Sequence, residues 1–201
     1  MRTISLEISF FILFCIFFSC SSAPEASPKP RMFPKQLFPS RTISSYHFKS
    51  CPFSFDKPDY LEPSKDSASF DAKVNTDCWF DLRNKDLQAS IHFSYFKVKD
   101  RNNFDQLIND VYKMADEHNA KASYRKESVI DNGSNVHGLL FEIEGAVASP
   151  LQFYVTDSTN HFLRASLYFD TRVNPDSTKI IYDYIYEDIS RIINTFDWKT
   201  K

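Results

Sequence analysis

The chain has 201 residues, with 24 basic and 26 acidic side chains and a net charge of −2. Without a basic excess there is no electrostatic footprint for nucleic acid, and 3 glycines leave little material for a phosphate-cradling loop. Aromatic residues make up 16% of the chain, which predicts an aromatic core.

At the N-terminus, Arg2 precedes an apolar and small-residue stretch over residues 8–18. That is too short for a bilayer core, which needs about 20 apolar residues, and it fits the hydrophobic region of a signal peptide. Ser19-Cys20 follows, then the small and turn-rich Ser21-Ser22-Ala23-Pro24. A cysteine after a small residue at this boundary resembles a bacterial lipobox, although Phe17 and Phe18 stand where such a box usually has Leu and a small residue. Residues 1–19 therefore read as a lipoprotein signal peptide, with Cys20 as the lipidated first residue of the mature chain.

Residues 20–45 hold five of the 10 prolines and read as an extended tether. Phe33, Leu37 and Phe38 give the other reading of this stretch, an arm that packs on the domain. A single globular domain is expected over residues 46–201. Its first strand is placed at residues 52–56, with a turn at Lys57-Pro58 and a strand pair or irregular hairpin over 70–82. Residues 87–98 alternate, with Ile91, Phe93 and Tyr95 on one face and His92, Ser94 and Phe96 on the other.

Asn102-Asn103 can cap a helix, and Phe104, Leu107, Ile108, Val111, Met114, Ala115 and His118 recur at helical spacing. His118 reads as a packed or helix-end histidine. A strand over 123–130 then meets Asp131-Asn132-Gly133-Ser134, a hairpin turn signal. The return strand puts Leu139, Phe141 and Ile143 on an inner face, and Glu142 and Glu144 on an outer face read as solvated. A second hairpin, 151–156 with 162–169, surrounds Asp157-Ser158-Thr159-Asn160. Asn174-Pro175-Asp176 starts the last helix, whose apolar side runs from Ile180 to Phe196, and Trp198 is expected to close the core. The order predicts an α+β fold: a largely antiparallel sheet packed with two main helices.

Cys51 and Cys78 lie in the exported part and are expected to form a disulfide, contributing about 3 kcal/mol. Two buried thiols and half of a metal site are the alternatives, and no CxxC or nearby His pair supports metal. Asp157, Ser158 and His161 contain the residue types of a hydrolase triad, but they crowd into one turn and lack a nucleophile elbow. Asp, Ser and Asn are also what a turn requires. His92 and His137 have no partner at ligand spacing. Tyr182 and Tyr186, on the less apolar side of the last helix, form a candidate partner surface. No catalytic residue, metal ligand or cofactor site is nominated.

Cys51-Pro52-Phe53-Ser54-Phe55, Cys78-Trp79-Phe80-Asp81-Leu82, the stretch 152–169 and Phe196-Asp197-Trp198-Lys199 together resemble the gliding motility lipoprotein GldD of the Bacteroidota, over residues 46–199. The resemblance implies a lipoprotein needed for gliding and linked to the type IX secretion machinery, without established catalytic activity. Only Cys20 and the cysteine pair carry over as site residues. It also implies partners among other gliding and secretion proteins of the envelope, membrane attachment through lipid, and no small-molecule substrate. Element order is similar to the PsbP/Mog1-like sandwich group. Glu25 alone lies close behind Cys20, with no acidic run, so the domain is expected to face the periplasm. A periplasmic hydrolase using a carboxylate or Ser158 and His161, and a small-ligand module with a pocket between sheet and helices, are the competing functions.

Overall fold

The last strand hairpin predicted from alternation, residues 151–169, forms the centre of a large antiparallel sheet. The computed structural model describes residues 35–47, 50–65, 78–119, 121–171 and 174–199. The signal peptide, Cys20, most of the tether and the first half of the expected 70–82 strand pair lie outside the described residues.

In chain order the elements are β1 (Ile43–His47), β2 (Phe53–Pro58), β3 (Glu62–Lys65), β4 (Trp79–Asn84), β5 (Ala89–Lys97), α1 (Arg101–Asn119), β6 (Ala122–Asp131), β7 (His137–Gly145), β8 (Leu151–Thr156), β9 (His161–Phe169), α2 (Pro175–Asn194) and β10 (Asp197–Trp198). Seven strands form one sheet in the order β3-β4-β5-β9-β8-β7-β6, with every neighbouring pair antiparallel. A smaller antiparallel sheet has the order β1-β2-β10.

Side chains alternate between the faces of a strand, and here both faces of the central strands are buried. Phe93, Phe153, Val155, Leu163 and Leu167 pack with Ile185, Ile189 and Ile192 of α2 and with Phe53, Phe55 and Trp198 of the small sheet. On the other face, Phe141, Ile143, Tyr154 and Phe162 meet Leu107, Val111 and Ala115 of α1. The result is an α+β sandwich, as expected. Its core is aromatic: Phe80 and Phe93 stack at 4.8 Å between ring centroids, and Phe53 and Phe196 at 5.5 Å.

Local signals land close to their expected places. Gly133 supplies the positive φ of 75° in the β6–β7 turn. Asp131 and Asn132 side chains accept the backbone N–H groups of Gly133 and Ser134, each at 3.0 Å. Asn132 also donates to the carbonyls of Ile193 and Phe196 at 3.2 and 2.7 Å, tying the turn to the end of α2. Pro175 opens α2 as expected, but the Asn174 side chain makes no capping bond. The hydroxyls of Ser177 and Thr178 turn back to its carbonyl instead, both at 3.0 Å.

Three boundaries differ from expectation. Helix α1 is capped by Asp100, whose carboxylate accepts the Asn103 N–H at 2.8 Å, not by Asn102 or Asn103. The turn expected at Lys57-Pro58 falls slightly later: both residues extend β2, Pro58 faces Ile43 in register, and the Leu61 N–H closes the turn on the Pro58 carbonyl at 3.2 Å. The folded unit begins at Gln36, with β1 starting before Tyr46, so residues 36–45 are a packed arm and not tether. The arm follows the second reading of that stretch.

Cys51 and Cys78 form a disulfide with Cα atoms 5.6 Å apart. It joins the entry of β2 to the entry of β4, and so staples the small sheet to the large one. Replacing both cysteines by serine is expected to lower unfolding free energy by about 3 kcal/mol, read from urea denaturation under oxidising conditions. Gly138→Ala is a second check. A Cβ at Gly138 would lie 1.9 Å from the Tyr154 carbonyl oxygen, in backbone that cannot yield cheaply. A loss of about 1–3 kcal/mol is expected in the same assay.

Candidate functional site on the last helix

Helix α2 has one face in the core and two flanks that carry polar chemistry. On one flank, Asp188 is only 1% exposed. Its carboxylate accepts the hydroxyl of Tyr60 and the Nε–H of Arg41, the latter at 3.2 Å to Oδ1. Arg41 also pairs with Glu187 and donates Nη2–H to the Tyr184 carbonyl at 2.6 Å. Its guanidinium lies 3.9 Å from the Tyr184 ring centroid, and the other side of the arm closes on the same ring. Phe38 stacks there at 4.4 Å, and the Tyr184 hydroxyl donates to the Pro39 carbonyl at 2.6 Å. This clamp fastens the arm to the domain. Burial pushes the Asp188 carboxyl above its ordinary value, against the downward pull of Tyr60 and Arg41. Burial, with the neighbouring Asp188, pushes the Tyr60 phenol up.

On the other flank a cavity of about 770 Å³ opens between α2 and the end of β7. Tyr182 and Tyr186, nominated from the sequence, line it from the helix, with rings 6.0 Å apart. Glu142 and Glu144 line it from the sheet, and Asp176, Lys179 and Asp183 from the helix. Glu142 accepts Lys126 Nζ at 2.8 Å and the Tyr182 hydroxyl at 3.4 Å. Burial, reinforced by Glu142, raises the Tyr182 phenol. Of the two glutamates expected on a solvated face, Glu144 is exposed and Glu142 is half-buried. Glu142 pairs with Leu151 and Leu140 with Phe153, and those partners belong to the core that α2 covers. The glutamates point to the α2 side of the sheet, at its rim.

The remaining sequence candidates resolve into structure. Asp157 accepts the backbone N–H groups of Thr159, Asn160 and His161 at 3.0, 2.8 and 2.8 Å. Burial would raise its carboxyl, but these three bonds outweigh burial and hold it below the ordinary value. Ser158 is exposed with φ at 63°. His161 bonds Tyr95 at 2.7 Å and stacks on Trp198 at 5.1 Å. Ser158 and His161 therefore serve a turn and the core. His118 is half-buried in the last turn of α1, and burial lowers its pKa.

His92, which has no partner at ligand spacing in the sequence, finds hydrogen-bond partners in the sheet. Its Nδ1 lies 2.6 Å from Asp81 Oδ1 and its Nε2 lies 3.3 Å from Ser90 Oγ. Asp81, His92, Ser166 and Gln152 stand opposite one another across β4, β5, β9 and β8, a polar rung through the sheet. The bonding order is that of a hydrolase triad, but Ser90 is 4% exposed and sits near the start of β5, paired with Arg83 on one side and Tyr168 on the other. Its surrounding backbone N–H groups serve the ladder and cannot converge on an oxyanion. Only strand pairing reveals this rung; no spacing within the sequence marks it.

Among the described residues no cluster of His, Cys, Asp or Glu could hold a metal ion, and no helix is long and apolar enough to cross a membrane.

The clamp generates two predictions. Arg41→Ala leaves Asp188 buried with Tyr60 alone, so stability should fall by about 2 kcal/mol and limited proteolysis should cut first within residues 36–42. For the second, the folded pKa of Asp188 lies above its ordinary value of 3.8. The folded state then binds the proton more tightly, and stability is lost as pH rises from that value through the raised one. Asp188→Asn cannot titrate, so the wild-type stability measured relative to this variant should decline across that window.

Comparison with known proteins identifies the chain's relatives. A family model described as gliding motility lipoprotein GldD matches residues 23–198. No curated protein matches the sequence. Among solved structures, the chain is similar to cyanobacterial PsbP (CyanoP) from Synechocystis sp. PCC 6803, at 10% identity and a TM-score of 0.42. That alignment covers 86% of this chain and 99% of the other. The family match spans the arm, both sheets, both helices and the closing Trp198, and by it the chain belongs to the gliding motility lipoprotein GldD family.

Proposed function

We propose that this gliding motility lipoprotein is exported behind the signal peptide of residues 1–19, lipidated on Cys20 and held at the envelope membrane facing the periplasm. It supports gliding, and the type IX secretion linked to it, by binding other envelope proteins and without catalysis of its own. The observation that carries this reading is the family match over residues 23–198, to which the sequence adds a signal region ending in Ser19-Cys20.

The physical logic is that of a tethered adaptor. Acyl chains confine the domain to a surface, and confinement raises its effective concentration toward neighbours on the same membrane. The clamp at Arg41 supports this role, because the arm leaves the domain at a fixed place on α2. The contact surface is the flank that carries Tyr182 and Tyr186.

Deleting the gene from a gliding species should abolish colony spreading and type IX export, and the full-length gene should restore both. A Cys20→Ala copy, accumulating to the same level, should restore neither. Normal spreading and export in the deletion strain would refute the role. Unmodified Cys20 in the mass spectrum of the mature N-terminus would refute the anchor.

A further inference from the structure

The groove beside Tyr182 and Tyr186 has a shape and charge that specify more than a generic contact. Its helical wall runs from Pro175 to Tyr186, three turns of α2. Eleven residues of helix rise about 16 Å, the length of about five residues of extended chain. Compact ligands do not require a slot of that length.

The charge is one-sided. Among the described lining residues, Glu142, Glu144 and Asp183 stand against one cation, Lys179, while Glu142 pairs with Lys126 beside the groove. Lys179 is itself committed to Asp183, with Nζ 3.0 Å from both carboxylate oxygens. Between these carboxylates lie the two tyrosine rings, which offer apolar contact and a π-face for a cation. A groove of this kind fits a segment that alternates guanidinium and apolar side chains.

The same helix already holds an arginine by this chemistry. On the opposite flank, Arg41 lies over the Tyr184 ring, paired with Glu187 and Asp188. That site is filled from within the chain by an arm running alongside the helix. The second flank repeats the ingredients (tyrosine rings and carboxylates) with no arginine of the described residues among its lining.

We propose that this groove receives an extended, arginine-bearing segment of a partner protein. The inference rests on the reading that the chain acts through protein contacts, and it names the chemistry of that contact. Arginine is favoured over lysine because its planar fork pairs with a carboxylate while stacking on a ring.

The test uses the lipid-free mature chain and a labelled six-residue peptide alternating arginine and valine. A peptide with aspartate in place of each arginine is the control. Fluorescence anisotropy should show saturable binding of the arginine peptide only, weakened at least tenfold by Glu144→Lys and by Tyr186→Ala. Glu144 is exposed, so its replacement should leave the thermal midpoint unchanged and keep the test valid even where a Glu142 variant fails to fold. Equal binding of both peptides, absence of binding, or an affinity that Glu144→Lys leaves intact would overturn the proposal. In cells, a Glu144→Lys strain with normal protein levels should lose spreading. If it glides normally the groove proposal falls while the family role stands, whereas a gliding deletion strain would bring down the role itself.

Discussion

Strands β8 and β9 are buried on both faces, one apolar and the other mixing Tyr154 and Phe162 with the Gln152–Ser166 rung, and that constraint organises everything around them. Residues 151–157 are buried without interruption. An antiparallel sheet commonly leaves one face to water and shows it as alternating polarity. Here alternation separates two cores instead of a core and a surface, so each face needs a cover. One amphipathic helix, α1, is enough where the underlying residues are Phe141, Tyr154 and Phe162. The other face is wider, and α2 covers it together with the three-stranded sheet that carries Phe53, Phe55 and Trp198. The disulfide matters in this context because it joins the three-stranded cover to the large sheet beneath it at one corner.

Covering a broad face also explains the buried carboxylate. The core stripe of α2 is Ile185, Asp188, Ile189, Ile192 and Ile193, the usual helical spacing, and Asp188 holds one of its places. A charge so placed needs partners, since an unpaired one costs several kcal/mol. Tyr60 comes from the turn after β2 and Arg41 from the arm before β1. The polar residue thus does not merely tolerate burial. It recruits the segment preceding β1, and Tyr184 completes the seat by accepting Phe38 and the guanidinium on its ring.

What the sequence disclosed follows from the range of the interactions. The periodicity of α1 and α2, the Asp131–Ser134 turn, the alternation of β5 and β9 and the Asx chemistry of Asp157 are local, and each is legible within a dozen residues. The antiparallel α+β class follows from them. The position of β5 against β9, with α1 and the β6–β7 hairpin between them in the chain, does not. The Asp81–His92 bond is nearer, 11 residues apart across the β4–β5 hairpin, but it depends on the register of that hairpin, which alternation alone does not fix. Glu142 and Glu144 show the limit of alternation itself. It establishes that they share a face, but not that the face is covered by a helix beginning some thirty residues later. For the arm, the signal was divided, prolines arguing for extension and Phe38 for packing. Arg41 decides the matter through side chains almost 150 positions away in the sequence.

Tyr182 and Tyr186 were recognised as too aromatic for a solvated helix side, and the structure gives that excess a physical setting. Helix α2 carries a tyrosine on each flank near carboxylates, on either side of the exposed face of Ile180, Asp183, Glu187 and Arg191. On one shoulder the arm supplies a cation and apolar rings, and the carboxylates there are satisfied internally. On the other, Glu142 shares Lys126 and Asp183 shares Lys179, so each is half-neutralised by flexible lysines at the surface. Lysine is a strongly hydrated point charge on a long stem and gives up such a contact at little cost. A planar guanidinium displacing it would gain the ring as well as the carboxylate. The Arg41 shoulder shows the geometry by which tyrosine rings and carboxylates together hold a guanidinium.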